Sequence, residues 1–361
     1  MNIELYSVKG FTASALKLKL EEALQEHQLA FEVLEMNRVD QFIKAELTSV
    51  PAFKIGDEVI PHPDKAKVEE TVKKVINYIL ENYLMAVLVP VDFTEESMHA
   101  IAYGQVIAQK LGLGLTLVHI HKPIYDPLSA GALDIQFLHN SNKRLIEMVD
   151  ELNAKNTKNG ISVNVSAHLE VGEPSTSLIE LFDEGNFELM VIGTRAVDNT
   201  IRRLFGTVSS SVSRKSKKPV VVVPAKSEIK FPEKIVIGFS EELMLDQALE
   251  DILAFGSRSN VFFDFVHVTA DDKAFDKLKS ELYDKLVVDR QLNCGFNIRP
   301  VIDTHLQIDE ILFSYAHEVG AQMVAFVTHQ RSFAESLLHN SVTKNALAHP
   351  ELPVMIFHQE G

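Results

Sequence analysis

The chain has 361 residues, too many for one ordinary core, so two or three domains are expected. Hydrophobic and charged fractions of 46% and 24% are those of a soluble globular protein, and no apolar run is long enough to span a bilayer. A net charge of −15 provides no basic face for nucleic acid or an anionic membrane, and the single cysteine, Cys294, excludes a disulfide framework and a CxxC redox pair.

The start, "MNIELYSVKGF", lacks a basic segment followed by an apolar core, so no secretory signal is read and a reducing cytoplasm is the expected compartment. In residues 1–82, "IELYSV" reads as a strand, "ASALKLKLEEALQEH" as an amphipathic helix and "AFEVLEMN" as a second strand. After a stretch with no readable period, "VPAFKIG" and "EVIPH" read as a hairpin turning at Gly56-Asp57. "KVEETVKKVINYILENY" then closes the segment as a helix.

In residues 83–226, "LMAVLVPVDF" is a continuous apolar strand, as expected where helices cover both sheet faces. A helix follows Thr94 as its cap, then strand "LGLTLVHIH", and a loop "IYDPLSAGALDIQFL" that reads as a lid or contact surface. The long helix "NSNKRLIEMVDELNAKNTKNG", strand "SVNVSAHLEV", helix "PSTSLIELFDEG", strand "LMVIGT", a helix into "VSRKSKK" and strand "PVVVVP" complete the segment. Alternating strands and helices predict a parallel α/β sheet. The charged, proline-containing link "AKSEIKFPEK" leads to residues 231–361, which repeat the order through "KIVIGF", "NVFFDFVHVT", "FNIRPVID", "MVAFVT" and "PVMIFH". The stretch from Leu189 aligns without a gap to that from Met323, and "VDFTEE" at Val91 is set against "IGFSEE" at Ile237, the mark of a duplication.

The chemistry is expected in the first copy. Its fourth strand ends at Gly193-Thr194, and nine residues separate Ala196 from Gly206, which opens a helix with Thr207, Val208 and Ser209. A small residue at a strand end admits a close approach, and hydroxyls with free N–H groups at a helix start suit phosphate. Asp92, after the first strand, suits an adenine or a metal-bound phosphate, and Ile120 an apolar base pocket.

These residues resemble the universal stress protein family, whose nucleotide-binding members carry Gly-x2-Gly-x9-Gly-Ser/Thr after the fourth strand and an Asp after the first. The resemblance covers Leu84 to Gly361 as two copies. It implies two five-stranded parallel sheets of the adenine-nucleotide alpha-hydrolase type in tandem, in a pseudodimer pairing "VVVVP" with "VMIFH", with a further homodimer open. It also implies ATP, with or without Mg, in the first copy only, lined by Asp92, Ile120, Gly193, Ala196, Gly206, Thr207, Val208 and Ser209. Ala196 stands where the family has a glycine, so the site is weakened or absent. The second copy has Val327 for Gly193, Gln330 for Ala196, Asn340 for Gly206 and, on the sequence alignment, Gly238 for Asp92, keeping only Ser341, and no nucleotide is expected there.

Residues 1–82 resemble a thioredoxin/glutaredoxin-like domain in element order and in "SVPAFKIGDEVI", with Pro51 at the cis-proline position. Phe11 and Ser14 stand where the redox cysteines would be, which implies a docking module or a stabilising appendage rather than thiol exchange. His119 and His267 read as hydrogen-bonded core residues, Cys294 as inert, the basic runs at Arg202 and Arg214 as solvated faces, and His339 and His349 as lacking a metal cluster. Three readings stay open: a nucleotide-binding stress or regulatory protein, a nucleotide-free interaction scaffold, and a weak ATPase.

Overall fold

A computed structural model describes residues 2–8, 11–26, 31–45, 47, 49–55, 58–63, 67–82, 85–123, 132–194, 207–239, 246–269, 272–289, 292, 294–302, 308–329 and 352–359. The chain forms two compact units, Met1–Leu84 and Met85–Gly361.

The first unit runs β1 (Asn2–Tyr6), α1 (Phe11–Glu26), β2 (Glu32–Met36), α2 (Val39–Lys44), β3 (Ala52–Ile55), β4 (Glu58–Pro61) and α3 (Val68–Asn82). Its sheet has the order β2-β1-β3-β4; β1 and β2 are parallel, β3 is antiparallel to β1, and β4 to β3. Leu16, Leu20 and Leu24 form one stripe of α1 and meet Val72, Val75, Ile76 and Ile79 of α3 over Ile3, Leu5 and Phe53. The unreadable stretch contains α2, which buries no residue and therefore has no apolar stripe to betray it. The Val50–Pro51 peptide is cis and leads into β3. The expected turn at Gly56-Asp57 lies outside the described residues.

The second unit begins with β5 (Ala86–Pro90), α4 (Glu95–Leu111), β6 (Gly114–His121), α5 (Ala132–Asn159), β7 (Val165–Val171), α6 (Pro174–Glu184), β8 (Phe187–Thr194), α7 (Thr207–Lys215) and β9 (Val220–Pro224). It continues with β10 (Lys234–Gly238), α8 (Asp246–Ser259), β11 (Phe262–Thr269), α9 (Asp272–Tyr283), a π-helical turn (Asp284–Asp289), β12 (Phe296–Ile302), α10 (Ile308–Glu318), β13 (Met323–His329) and β14 (Val354–Gln359). All of these strands join one sheet of order β12-β11-β10-β13-β14-β9-β8-β5-β6-β7.

Within each half, neighbouring strands are parallel. At the seam β9 and β14 are antiparallel, with Val222↔Val354, Val221↔Met355 and Val220↔Ile356, so two would-be edges cover each other. Residues 83–226 and 231–361 thus contribute strands to one sheet and side chains to both cores. One core lies under α4, α5, α8 and α9, the other under α6, α7 and α10. Strands β5 and β9 read as unbroken apolar runs because both of their faces are covered.

Two local features position the site. Thr94 caps α4, with Glu95 and Glu96 complementing the helix dipole and Gly112 closing the helix at φ 67°. Helix α5 starts at Ala132, so residues 132–138, read as loop, are helical. Their apolar Ile135 and Phe137 are exposed and follow no buried stripe, which is why the period was not legible. The rest of that loop, 124–131, lies outside the described residues. Among the described residues no helix is long and apolar enough to cross a membrane.

Candidate functional site

The first half has strand order β9-β8-β5-β6-β7. From β5 the chain moves outward through β6 and β7, then returns to the other side of β5 as β8 and β9. The crevice between β5 and β8 is therefore the switch point, beyond whose carboxyl ends open α/β sheets bind ligands. The register Leu88↔Met190 places Asp92 and Thr194, each four residues on, at one level. Because β8 and β9 are parallel, α7 opens at that same edge, starting at Thr207. The first-turn N–H groups of a helix lack an intrahelical partner, which suits an anion.

Asp92 is committed to the turn it belongs to. Its Oδ1 accepts from the Thr94 amide at 3.1 Å and the Thr94 hydroxyl at 2.5 Å, while Thr94 Oγ1 accepts from the Ser97 amide at 3.4 Å. Burial pushes the Asp92 carboxyl up, but hydrogen bonds from the Thr94 side chain and backbone and from Ser97 outweigh it and hold the pKa below its ordinary value. The group is an ionised acceptor at neutral pH. Between Asp92 and Thr94, Phe93 has φ 62°, a left-handed conformation that costs a bulky residue about 1–2 kcal/mol.

Gly193 has a different reason from the one expected. A Cβ there would lie 2.3 Å from the Glu96 carbonyl oxygen and 3.3 Å from Ala100 Cβ. The backbone it admits on that side is the first turn of α4. Ile120 and Val208 pack, partly buried, against the same core, and Ser209 is buried. Ala196 and Gly206 lie outside the described residues, and of Thr207 only the backbone is described.

The sequence reading missed Arg144. Its guanidinium lies 4.5 Å from the Phe93 ring centroid, and Phe93 in turn lies 4.8 Å from the His119 ring. His119 Nδ1 donates to the Val91 carbonyl at 2.7 Å. Arg144 is one of the exposed residues of α5. The sequence gives no signal that would distinguish it.

The second half repeats the histidine and changes its surroundings. His267 Nδ1 donates to the Phe239 carbonyl at 3.0 Å, and its ring centroid lies 5.5 Å from that of Phe239 and 6.2 Å from that of Phe275. The registers Pro90↔Val118 and Gly238↔Val266 equate Gly238 with Pro90. This corrects the sequence alignment: Asp92 corresponds to Ser240, outside the described residues, and not to Gly238. Val327 does fall at the level of Gly193, because Leu189 pairs Val87 as Met323 pairs Ile235. Gln330, Asn340, Ser341, His339 and His349 lie outside the described residues, as do Arg202 and Arg203. Cys294 is buried, and burial pushes its thiol up. Among the described residues no three His, Cys, Asp or Glu side chains could together hold a metal.

Residues 85–224 match the universal stress protein family. A universal stress protein from Archaeoglobus fulgidus DSM 4304 is similar in fold, with a TM-score of 0.57 and 16% identity over 76% of this chain and 98% of that one. A second one from Archaeoglobus fulgidus is 24% identical over 38% of this chain and 96% of that one, with a TM-score of 0.31. A universal stress protein solved in complex with cAMP is 24% identical over 38% of this chain and 94% of that one, with a TM-score of 0.29. No curated protein matches the sequence.

Proposed function

We propose that the first half of the sheet binds an adenine nucleotide, ATP with or without Mg, and that occupancy regulates a partner surface in a stress response. The observation that carries this reading is the convergence at the β5–β8 switch point. There an ionised Asp92, the end of β8 at Thr194 and the opening of α7 meet on one edge. The family match over residues 85–224 supports placing the site in this half. The fold likeness covering 76% of the chain supports reading residues 231–361 as a second, degenerate copy and a pseudo-symmetric partner. In the first unit the βαβ start and the antiparallel hairpin favour a thioredoxin-like domain without its cysteines.

The test is calorimetric titration of ATP with Mg²⁺ into the full chain beside Gly206→Val. Saturable binding near one site per chain, lost in a variant with an unchanged melting curve, is the expected result. Absence of both heat and thermal shift at millimolar ATP overturns the reading. It would favour the second one, a nucleotide-free scaffold. Two observations stand on that side: the space beside Gly193 is filled by the Glu96 backbone, and Asp92 already accepts from Thr94. Weak ATPase activity is a third reading, separated by Mg-dependent phosphate release that Asp92→Ala abolishes.

A further inference from the structure

We propose that β7 is a docking edge for a second copy of this chain, which pairs antiparallel through its own β7 about a two-fold axis at Leu169. β7 is one outer edge of the ten-stranded sheet, and β12 is the other. Along a strand, successive residues turn their N–H and C=O groups to opposite sides. The Gly172 amide donates to the His121 carbonyl at 3.0 Å, so the even-numbered residues of β7 bond inward to β6. The odd-numbered ones turn outward. Asn153 of α5 marks the first of them: its side chain donates to the Val165 carbonyl at 2.8 Å and accepts from the Val165 amide at 2.9 Å. Among the described residues no hydrogen bond reaches the outward backbone groups of the next three, Ala167, Leu169 and Val171.

Such a row of open groups is a template for another strand unless it is blunted. The other outer edge is blunted. The registers His119↔Leu169 and His267↔Pro300 set Pro300 where β7 has Leu169. Proline has no N–H, so β12 lacks the central donor of its edge. By the same registers Arg299 and Val301 stand where β7 has His168 and Glu170, and Arg299 pairs with the buried Asp264 at 3.0 Å.

Register and polar complementarity name the occupant. Antiparallel pairing centred on Leu169 is the register that uses all three open residues. Leu169 opposes itself, and Ala167 opposes Val171 of the second copy. The same register sets the His168 ring, an N–H donor, against the Glu170 carboxylate of the second copy, twice, at non-hydrogen-bonded positions where side chains come closest. Within one copy the two lie 3.1 Å apart, so four side chains alternate across the axis. A strand that carries both members of the pair two residues apart is self-complementary, which favours a two-fold dimer over a foreign strand. Ile146 adds an apolar flank. It is exposed and lies two helical turns before Asn153, on the side of α5 that reaches this edge. Helix α5 returns antiparallel to the strands it connects, so Ile146 stands about 10 Å from the level of Asn153, near Leu169, which is about 13 Å along the strand from Val165.

The experiment is sedimentation of the full chain without nucleotide, from about 1 to 100 µM, as wild type, Leu169→Pro, His168→Glu and His168→Glu/Glu170→Lys. The wild type should reach twice the mass of one chain. His168→Glu opposes two carboxylates and should weaken the dimer by about tenfold or more. The double variant restores opposite charges and should recover the dimer. Leu169→Pro copies the other edge and should be monomeric. Where the proline lowers the melting temperature, the charge exchange decides alone. A wild type that stays monomeric at the highest concentration overturns the inference. A dimer that His168→Glu leaves unchanged also overturns it, because the copies then meet elsewhere. So does a double variant as weak as His168→Glu, because the two side chains then do not oppose each other.

Discussion

The two halves of the ten-stranded sheet run the same strands in the same register, and they differ at the carboxyl edge. Each anchors a histidine to the backbone carbonyl that follows its first strand, 28 residues earlier in both cases. Around that anchor the first half has Asp92, a strained Phe93 and Arg144, whereas the second has Phe239 and Phe275. At the end of the fourth strand the first half has Gly193 and the second Val327. The scaffold is thus independent of the edge chemistry: burial on both faces holds the sheet, and edge residues can drift from polar to aromatic without disturbing it.

Exchanging edge residues between halves tests this separation. The largest effect is expected for Gly193→Val, which gives the first half the residue of the second. The new Cβ would meet helix backbone at 2.3 Å, which cannot yield as a side-chain tip would. A loss of about 3 kcal/mol is expected in urea unfolding. A cost below about 1 kcal/mol would show that α4 can lift off the strand end. Next come His119→Ala and His267→Ala. His119→Ala removes one hydrogen bond to a carbonyl and one ring contact, and His267→Ala the same hydrogen bond and two ring contacts, so each should cost about 1–2 kcal/mol, and the two should agree within about 1 kcal/mol. Widely unequal losses would refute a shared structural role. Asp92→Ser, which supplies the residue the second half carries by register, should cost about 1 kcal/mol by freeing Thr94 from its acceptor.

Much of this organisation was legible in the sequence, and the failures have physical causes. Continuous runs such as "AVLVP" and "VVVVP" announced buried strands, and the capping role of Thr94 followed from its place before a helical period. Helix α2 was not legible because it buries no residue, and the start of α5 because Ile135 and Phe137 are exposed; periodicity records only burial. The Asp92 counterpart was misplaced by two residues because "FTEE" and "FSEE" look alike, whereas strand register is fixed by backbone hydrogen bonds that composition does not reveal. Gly193 was noticed for a sound reason, a close approach, but the approaching group could not be named without α4 in place. Arg144 gave no signal, since its partner Phe93 is distant in sequence.

The seam offers the subtlest contrast. By register with the fourth strands, Thr194↔Pro224 corresponds to Thr328↔His358, so one half ends its fifth strand in proline where the other has histidine. His358 is almost fully buried and reaches into the first half, with Nδ1 3.0 Å from the Lys218 carbonyl and Nε2 2.9 Å from the Ser213 carbonyl. Burial lowers its pKa below the ordinary 6.5, against the opposing pull of the two carbonyls and of Asp183. A lowered basic group binds fewer protons folded than unfolded. Stability therefore rises with pH through this window, and is lost as pH falls below about 6.5 towards the folded value. His358→Gln keeps an amide donor for a carbonyl and removes the titration. Its melting temperature should fall less than that of the wild type between pH 7 and pH 5. Parallel curves would mean that His358 does not titrate differently on folding. A wild type that gains on the variant in acid would mean that the two carbonyls hold the ring charged, and that protonation tightens the seam.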